Sequence, residues 1–207
     1  MDKILCVAKN YTMHADEMKE KAPESPIFFL KPPSSLLMNP ESIDLSSFKE
    51  GEIHYELEVV LEVAMTINKD TFEQGVNPLA LMGRIGLGLD LTRRELQKKL
   101  KENRHPWAMS KAFKGSALFF PLFHGQKITD MKKIPFELYI KNELKQKATI
   151  KEMIFSVEQL LKSATEAMDL FPGDLIFTGT PSGVGPLKKK DELRLCWGEE
   201  KRNLFIL

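Results

Sequence analysis

Cysteine is nearly absent from the chain, with Cys6 and Cys196 the only two. That excludes a disulfide framework and any cysteine spacing suited to zinc. Both lie in apolar, strand-like runs, where a buried free thiol is expected. An excess of one charge sign is also missing: 30 Lys and Arg face 29 Asp and Glu, for a net charge of +1. Nothing in that balance favours a nucleic-acid or membrane-surface role. Lys188-Lys189-Lys190 is too short for a nucleic-acid patch and reads as a solvated turn. No apolar run approaches a membrane-spanning length, and Met1-Asp2-Lys3-Ile4-Leu5 lacks signal-peptide anatomy, so a cytoplasmic protein is expected. No internal repeat, low-complexity tract or linker is found. Apolar residues make up 43% of the 207, enough for one domain over 1–207 with a substantial core.

Periodicity predicts many strands and few helices. Strands are expected over Lys3–Val7, Ile27–Leu30 (buried), His54–Val63, Leu81–Asp90, Leu175–Thr178, and near 192–197 and 203–207. Phe136–Ile140 and the run from Leu144 form a hairpin across Lys141-Asn142, where Asn suits a positive backbone angle. Helices are expected over Asn10–Met18, from a Thr92/Glu95 capping box to Glu102, and from a Ser156/Gln159 capping box to Met168. Gly83, Gly86 and Gly88 inside one strand suggest a bulge or close backbone approach. Residues 103–121 read as one long connection, of a kind that often carries function. The fold class is α+β, mostly β.

On an alternating strand, Glu56, Glu58, Val60 and Glu62 share a face, and Tyr55, Leu57, Val59, Leu61 and Val63 line the other. Neighbouring same-face carboxylates repel unless water or a cation lies between them. A solvated acidic face and a hard divalent ion both answer that pattern. Asp90, ending an otherwise apolar strand, is a third candidate ligand; a helix cap is the alternative, but Thr92 and Glu95 already supply one. Three carboxylates with no regular His or Cys set favour Mg²⁺ or Mn²⁺ over zinc. Arg94 and Gln97 follow on one helical face, suited to a substrate carboxylate or to a surface ion pair. His14 and Glu17, three apart on a helix, would make a general base for water or an ordinary surface pair. Lys111 could face a developing oxyanion or plain solvent. The Thr178-Gly179-Thr180-Pro181 turn offers N–H and hydroxyl groups to a substrate carboxylate, while phosphate-loop and dinucleotide fingerprints are both absent.

The order of these signals carries a resemblance. Cys6-Val7-x-x-Asn10-Tyr11-x-x-His14-x-x-Glu17, Phe29-Leu30-Lys31-Pro32, His54-x-Glu56-x-Glu58, Leu89-Asp90-Leu91-Thr92-x-Arg94-x-x-Gln97, Trp107-x-x-x-Lys111-x-Phe113 and Gly173-Asp174-x-Ile176-x-Thr178-Gly179-Thr180-Pro181-x-Gly183-Val184-Gly185-Pro186 together resemble the fumarylacetoacetate hydrolase family, in its compact acylpyruvate hydrolase and oxaloacetate decarboxylase-like branch. The resemblance implies a mixed β-roll, a homodimer, and Mg²⁺ or Mn²⁺ on Glu56, Glu58 and Asp90. It also implies a catalytic His14–Glu17 dyad with Lys111, and substrate contacts from Arg94, Gln97 and Thr180. Lys9 departs from the family, which usually has Arg there.

The implied activity is hydrolysis of a C–C bond in acylpyruvate-type 2-oxo acids, by a His–Glu-activated water, leaving a pyruvate enolate whose charge the metal spreads. The alternatives are oxaloacetate decarboxylation, isomerisation or tautomerisation of an unsaturated 2-oxo dioate, and, from another class, a silent ligand-binding relative.

Overall fold

The structure is a computed structural model and describes residues 1–12, 23–46, 51–124 and 128–207. From Met13 onward, the helix expected over Asn10–Met18 lies outside these residues, and so do His14 and Glu17. Along the chain run β1 (Ile4–Ala8), β2 (Ile27–Lys31), β3 (Leu36–Met38), β4 (Ser42–Ile43), β5 (Ile53–Tyr55), β6 (Leu57–Val63) and helix α1 (Lys69–Glu73). They are followed by β7 (Met82–Asp90), β8 (Thr92–Arg93), α2 (Arg94–Glu102), β9 (Ala117–His124) and α3 (Ile128–Met131). The rest comprises β10 (Phe136–Ile140), β11 (Glu143–Ala148), α4 (Val157–Thr165), β12 (Leu175–Phe177), β13 (Gly185–Pro186), β14 (Glu192–Trp197) and β15 (Glu200–Ile206). No helix among the described residues is long and apolar enough to cross a membrane.

The largest sheet has the order β2-β1-β12-β6-β7-β9-β3, with β1/β12 and β3/β9 parallel and the other pairs antiparallel. A five-stranded sheet, β11-β10-β14-β15-β4, and a three-stranded one, β13-β5-β8, complete a mostly β, mixed fold. On one face of the large sheet Leu57, Val59, Leu61 and Val63 join the main core with Phe136, Trp197 and Leu161 of the other elements. On the other face a smaller cluster of Ile4, Cys6, Val60, Ala117, Phe119, Leu175 and Phe177 lies beneath the acidic end of β6. Burying apolar surface on both faces is the main driving force for this arrangement. The close approach foreseen from the glycines is found: a methyl group at Gly88 would stand 2.5 Å from Val60 and 2.7 Å from Phe177. Cys6 and Cys196 are buried free thiols, as expected.

Several expectations are corrected. Ile27–Leu30 is not buried: β2 is the sheet edge, Ile27 and Leu30 are exposed, and the residue that turns inward is Lys31. The single strand expected over His54–Val63 breaks at Glu56 into β5 and β6, which belong to different sheets. The Thr92/Glu95 capping box does not form; α2 starts after Arg93 without a side-chain cap, because the Thr92 hydroxyl is used elsewhere. The long connection ends at Ala117, where β9 begins, and α4 stops at Thr165 rather than Met168. The Ser156/Gln159 box and the 136–148 hairpin form as read, with Lys141 and Asn142 both at positive φ.

Asp174 ties the chain start to the turn before β12. Its carboxylate accepts from the backbone N–H groups of Asp2, Lys3 and Phe171 and from Lys3 Nζ, at 2.7–3.0 Å. Burial alone would raise this carboxyl, but the ammonium and the backbone donors hold it below its ordinary value. A depressed acid stabilises the fold above the ordinary carboxylate range and loses that contribution as pH falls through its lowered value. Asp174→Asn should therefore cost about 2 kcal/mol near neutrality. Unfolding temperatures measured against pH should show the gap to the parent closing in acid.

Candidate functional site

The break at Glu56 is built by hydrogen bonds from distant elements. Gln146 on β11, fully buried, accepts from Leu57 N–H at 2.8 Å and donates to Thr180 Oγ1 and Pro181 O at 2.9 Å. Thr180 in turn donates its hydroxyl to Leu57 O at 2.8 Å. β6 therefore starts one residue after Glu56, whose carbonyl still accepts from Asp90 N–H at 2.9 Å. The pleat no longer dictates where Glu56 points, yet one oxygen each of Glu56, Glu58 and Asp90 lies within 4.8 Å of the others. All three are buried.

Three cations face these carboxylates. Glu56 Oε1 accepts from Thr92 Oγ1 and Arg94, both at 2.8 Å, and its Oε2 accepts from Lys111 Nζ at 2.8 Å. Lys111 Nζ also donates to Asp90 Oδ2 at 2.7 Å. Lys31 Nζ lies 2.6 Å from Asp90 Oδ1 and donates to Ser116 O at 2.7 Å and Leu91 O at 3.3 Å. Glu58 accepts from Gly179 N–H at 2.7 Å, a contact that depends on the positive φ of +96° at Gly179.

The electrostatics separate the two glutamates. Burial works to raise Glu56, but Lys111 and Arg94 outweigh it and hold the carboxyl down to about 2. Glu58 is pushed up, first by burial and then by the negative charges of Asp90 and Glu56. Burial would lower Lys111, yet Asp90 and Glu56 hold it above its ordinary value. Cys6, beneath the cluster, is raised by its burial and by Asp90. Against the two like charges, Glu58 has the Gly179 N–H and the weaker pull of Lys111, and a hard cation beside it would relieve that repulsion. A set of oxygen donors with no thiolate or imidazole fits a hard divalent ion.

Beside the cluster lies a cavity of about 220 Å³, lined by Glu56, Arg94, Gln97, Lys111 and Thr180 of the expected set and by Lys9, Lys101, Ile27, Phe29 and Trp107. Arg94 and Gln97 hydrogen-bond to each other at 2.8 Å on α2. Trp107 packs edge-on to Phe29, with ring centroids 5.0 Å apart. A profile of the fumarylacetoacetate hydrolase C-terminal family matches residues 3–202.

The chain belongs to the fumarylacetoacetate hydrolase family. Oxaloacetate tautomerase YcgM of Escherichia coli is 34% identical over 200 residues, covering 95% of this chain and 89% of that protein. The mitochondrial oxaloacetate decarboxylase of Dictyostelium discoideum is 34% identical over 189 residues, covering 90% of this chain and 84% of that protein. Among solved structures, fumarylpyruvate hydrolase from Pseudomonas aeruginosa, in complex with Mn²⁺ and pyruvate, superposes with a TM-score of 0.87 at 29% identity, covering 100% of this chain and 90% of that one.

Of the residues singled out from the sequence, the fold brings Glu56, Glu58, Asp90, Lys111, Arg94, Gln97 and Thr180 to one place. Glu62, on the same strand, is instead held at the surface by both arms of Arg84, at 2.6 and 2.7 Å. Sequence reasoning missed the parts played by Lys31, Thr92 and Gln146. Lys31 and Thr92 sit inside the quoted family motifs, which was the available signal; Gln146 had none. The Thr180 hydroxyl, one of the groups offered to a substrate, is spent on Leu57.

Proposed function

We propose that this chain is a divalent-metal enzyme acting on dianionic 2-oxo acids, represented by oxaloacetate, which it tautomerises or decarboxylates. The observation that carries this reading is the cavity wall. Lys9, Arg94, Lys101 and Lys111 line it, and Glu56 is the sole carboxylate among the described lining residues. Such a wall suits a ligand with two carboxylates better than a monoanion. Lys101 Nζ stands 6.0 Å over the Trp107 ring, and Lys9 takes a positive φ of 58°, a strained setting for a side-chain-bearing residue. The oxaloacetate enzymes among the relatives support the same choice over the acylpyruvate reading.

In this reading Glu56, Glu58 and Asp90 hold Mg²⁺ or Mn²⁺, which supplies Lewis acidity to the 2-oxo group when bound. Arg94 and Gln97 bind the adjacent carboxylate, and the backbone of Thr180 closes the same side. Lys111 donates to the oxygen on which negative charge develops. Lys9 and Lys101 pair with the distal carboxylate. His14, oriented by Glu17, moves the C3 proton in tautomerisation. The homodimer and the cytoplasmic setting belong to this reading too. For the dimer, exposed Ile27, Leu30 and Met109 offer apolar surface.

The likeness to fumarylpyruvate hydrolase favours a second reading, hydrolysis of the C–C bond of an acylpyruvate, in which the His14–Glu17 pair activates water. Assays with Mn²⁺ on oxaloacetate, fumarylpyruvate and acetylpyruvate separate these readings. Oxaloacetate should have the highest kcat/KM. Lys101→Glu should lower that value by on the order of tenfold or more while changing acetylpyruvate less than about twofold. Efficient acetylpyruvate cleavage with inert oxaloacetate would sink the first reading, and loss of that cleavage in His14→Ala would establish the second.

A further inference from the structure

Two lysines hold Asp90, and their surroundings differ. Lys31 is 1% exposed and does not line the cavity. It donates to Ser116 O and Leu91 O and is ion-paired to Asp90 Oδ1 at 2.6 Å, so contacts surround its ammonium. It is locked in place. Lys111 lines the cavity and donates to two carboxylates, Glu56 and Asp90, with the Phe29 ring 5.2 Å away. Three cations, Lys31, Lys111 and Arg94, face the three carboxylates, in ion pairs that reach Glu56 and Asp90 but not Glu58. A divalent ion entering this balanced cluster brings two uncompensated positive charges, and repulsion at such short range in a buried site is strong. Lys31 has nowhere to go. Arg94 bonds Glu56 from the α2 side, through the oxygen it shares with Thr92, and its other arm is tied to Gln97.

We propose that Lys111 is the exchangeable counter-ion of the carboxylate cluster: a divalent ion entering the cluster displaces its ammonium into the cavity, so that metal and anionic ligand bind cooperatively through this lysine. The inference rests on reading Glu56, Glu58 and Asp90 as a divalent-ion site. Before the ion arrives, the ammonium takes part of its place between Glu56 and Asp90. Afterwards the same ammonium, released at the cavity wall, is a donor for the anion. An anion that engages the released lysine tightens the ion, and by reciprocity the ion tightens the anion.

The test is calorimetric titration of Mn²⁺ into the full chain, with and without oxalate, for the parent and for Lys111→Met, which is unbranched, one heavy atom shorter and uncharged. Without oxalate, Lys111→Met should bind Mn²⁺ on the order of tenfold tighter than the parent, because a neighbouring like charge is gone. Oxalate should tighten Mn²⁺ binding to the parent, and that enhancement should shrink in the variant to within about twofold. Lys111→Gln gives a second variant should Lys111→Met fail to fold. Mn²⁺ affinity equal to or weaker than the parent's in the folded variant would overturn the proposal, since Lys111 would then only orient the ligands. A parent that binds no divalent ion would remove the metal site itself. A parent that binds Mn²⁺ but leaves oxaloacetate unchanged would refute the substrate reading alone.

Discussion

Glu56→Gln is expected to lower turnover of every 2-oxo acid by on the order of a thousandfold, and to remove most of the divalent-ion affinity with it. The two oxygens of Glu56 accept from Thr92 and Arg94 on one side and from Lys111 on the other. Whichever way a glutamine amide is turned, its NH₂ must face a donor where an oxygen had faced it. One hydrogen bond is then replaced by a donor–donor contact in a buried site, which costs about 1–3 kcal/mol. The larger effect is on charge. Losing one carboxylate leaves Lys31, Lys111 and Arg94 in excess over Glu58 and Asp90, so an incoming cation is repelled rather than accommodated. Two measurements check this: calorimetric titration of Mn²⁺, and steady-state rates on oxaloacetate at saturating metal. A folded variant that still binds Mn²⁺ and keeps a tenth of parental turnover would remove Glu56 from the metal site. His14→Ala differs in kind, since it should impair proton transfer while leaving Mn²⁺ affinity intact.

The parts of this arrangement that depend on local pattern were legible in the chain. Alternation placed β6, the apolar run ending in Asp90 placed β7, turn chemistry placed the 136–148 hairpin, and the family resemblance of the ordered motifs picked out the cluster. What could not be read depends on partners far away in sequence. The break at Glu56 exists because Gln146, 89 positions beyond Leu57, takes the Leu57 N–H that a continuous strand would have paired. Thr92 has the spacing of a helix cap, but a buried carboxylate out-competed the α2 backbone for its hydroxyl. Lys31 lay within a run ending at the two prolines, and the ordinary expectation for lysine is solvent. Only the fold reveals that the edge strand β2 turns this one side chain inward while Ile27 and Leu30 stay outside. One premise of the sequence argument for Asp90 fails, since Thr92 serves Glu56 instead of capping α2, while Asp90 does lie with Glu56 and Glu58.

Lys31→Met is expected to be the most destabilising single change outside the hydrophobic core, by about 3–5 kcal/mol, because it removes one member of a buried ion pair and leaves the other. Asp90 is 1% exposed and cannot recover solvation in place of the lost ammonium. The carbonyls of Leu91 and Ser116 lose a donor in the same substitution. Lys31→Arg should not rescue the fold: a planar guanidinium is bulkier than an ammonium and cannot keep both carbonyl bonds and the close Asp90 ion pair around one point. The sign of the metal effect follows from the same charges. Without Lys31 the cluster carries a net negative charge, so a divalent ion restores positive potential next to Asp90. Saturating Mn²⁺ should therefore raise the unfolding temperature of Lys31→Met by more than it raises that of the parent, beyond the mass-action stabilisation common to both. Denaturant unfolding of both proteins, with and without Mn²⁺, reads each quantity. A loss below about 1 kcal/mol would mean that Lys111 alone can neutralise Asp90. The locked and exchangeable lysines would then have to trade their assigned roles.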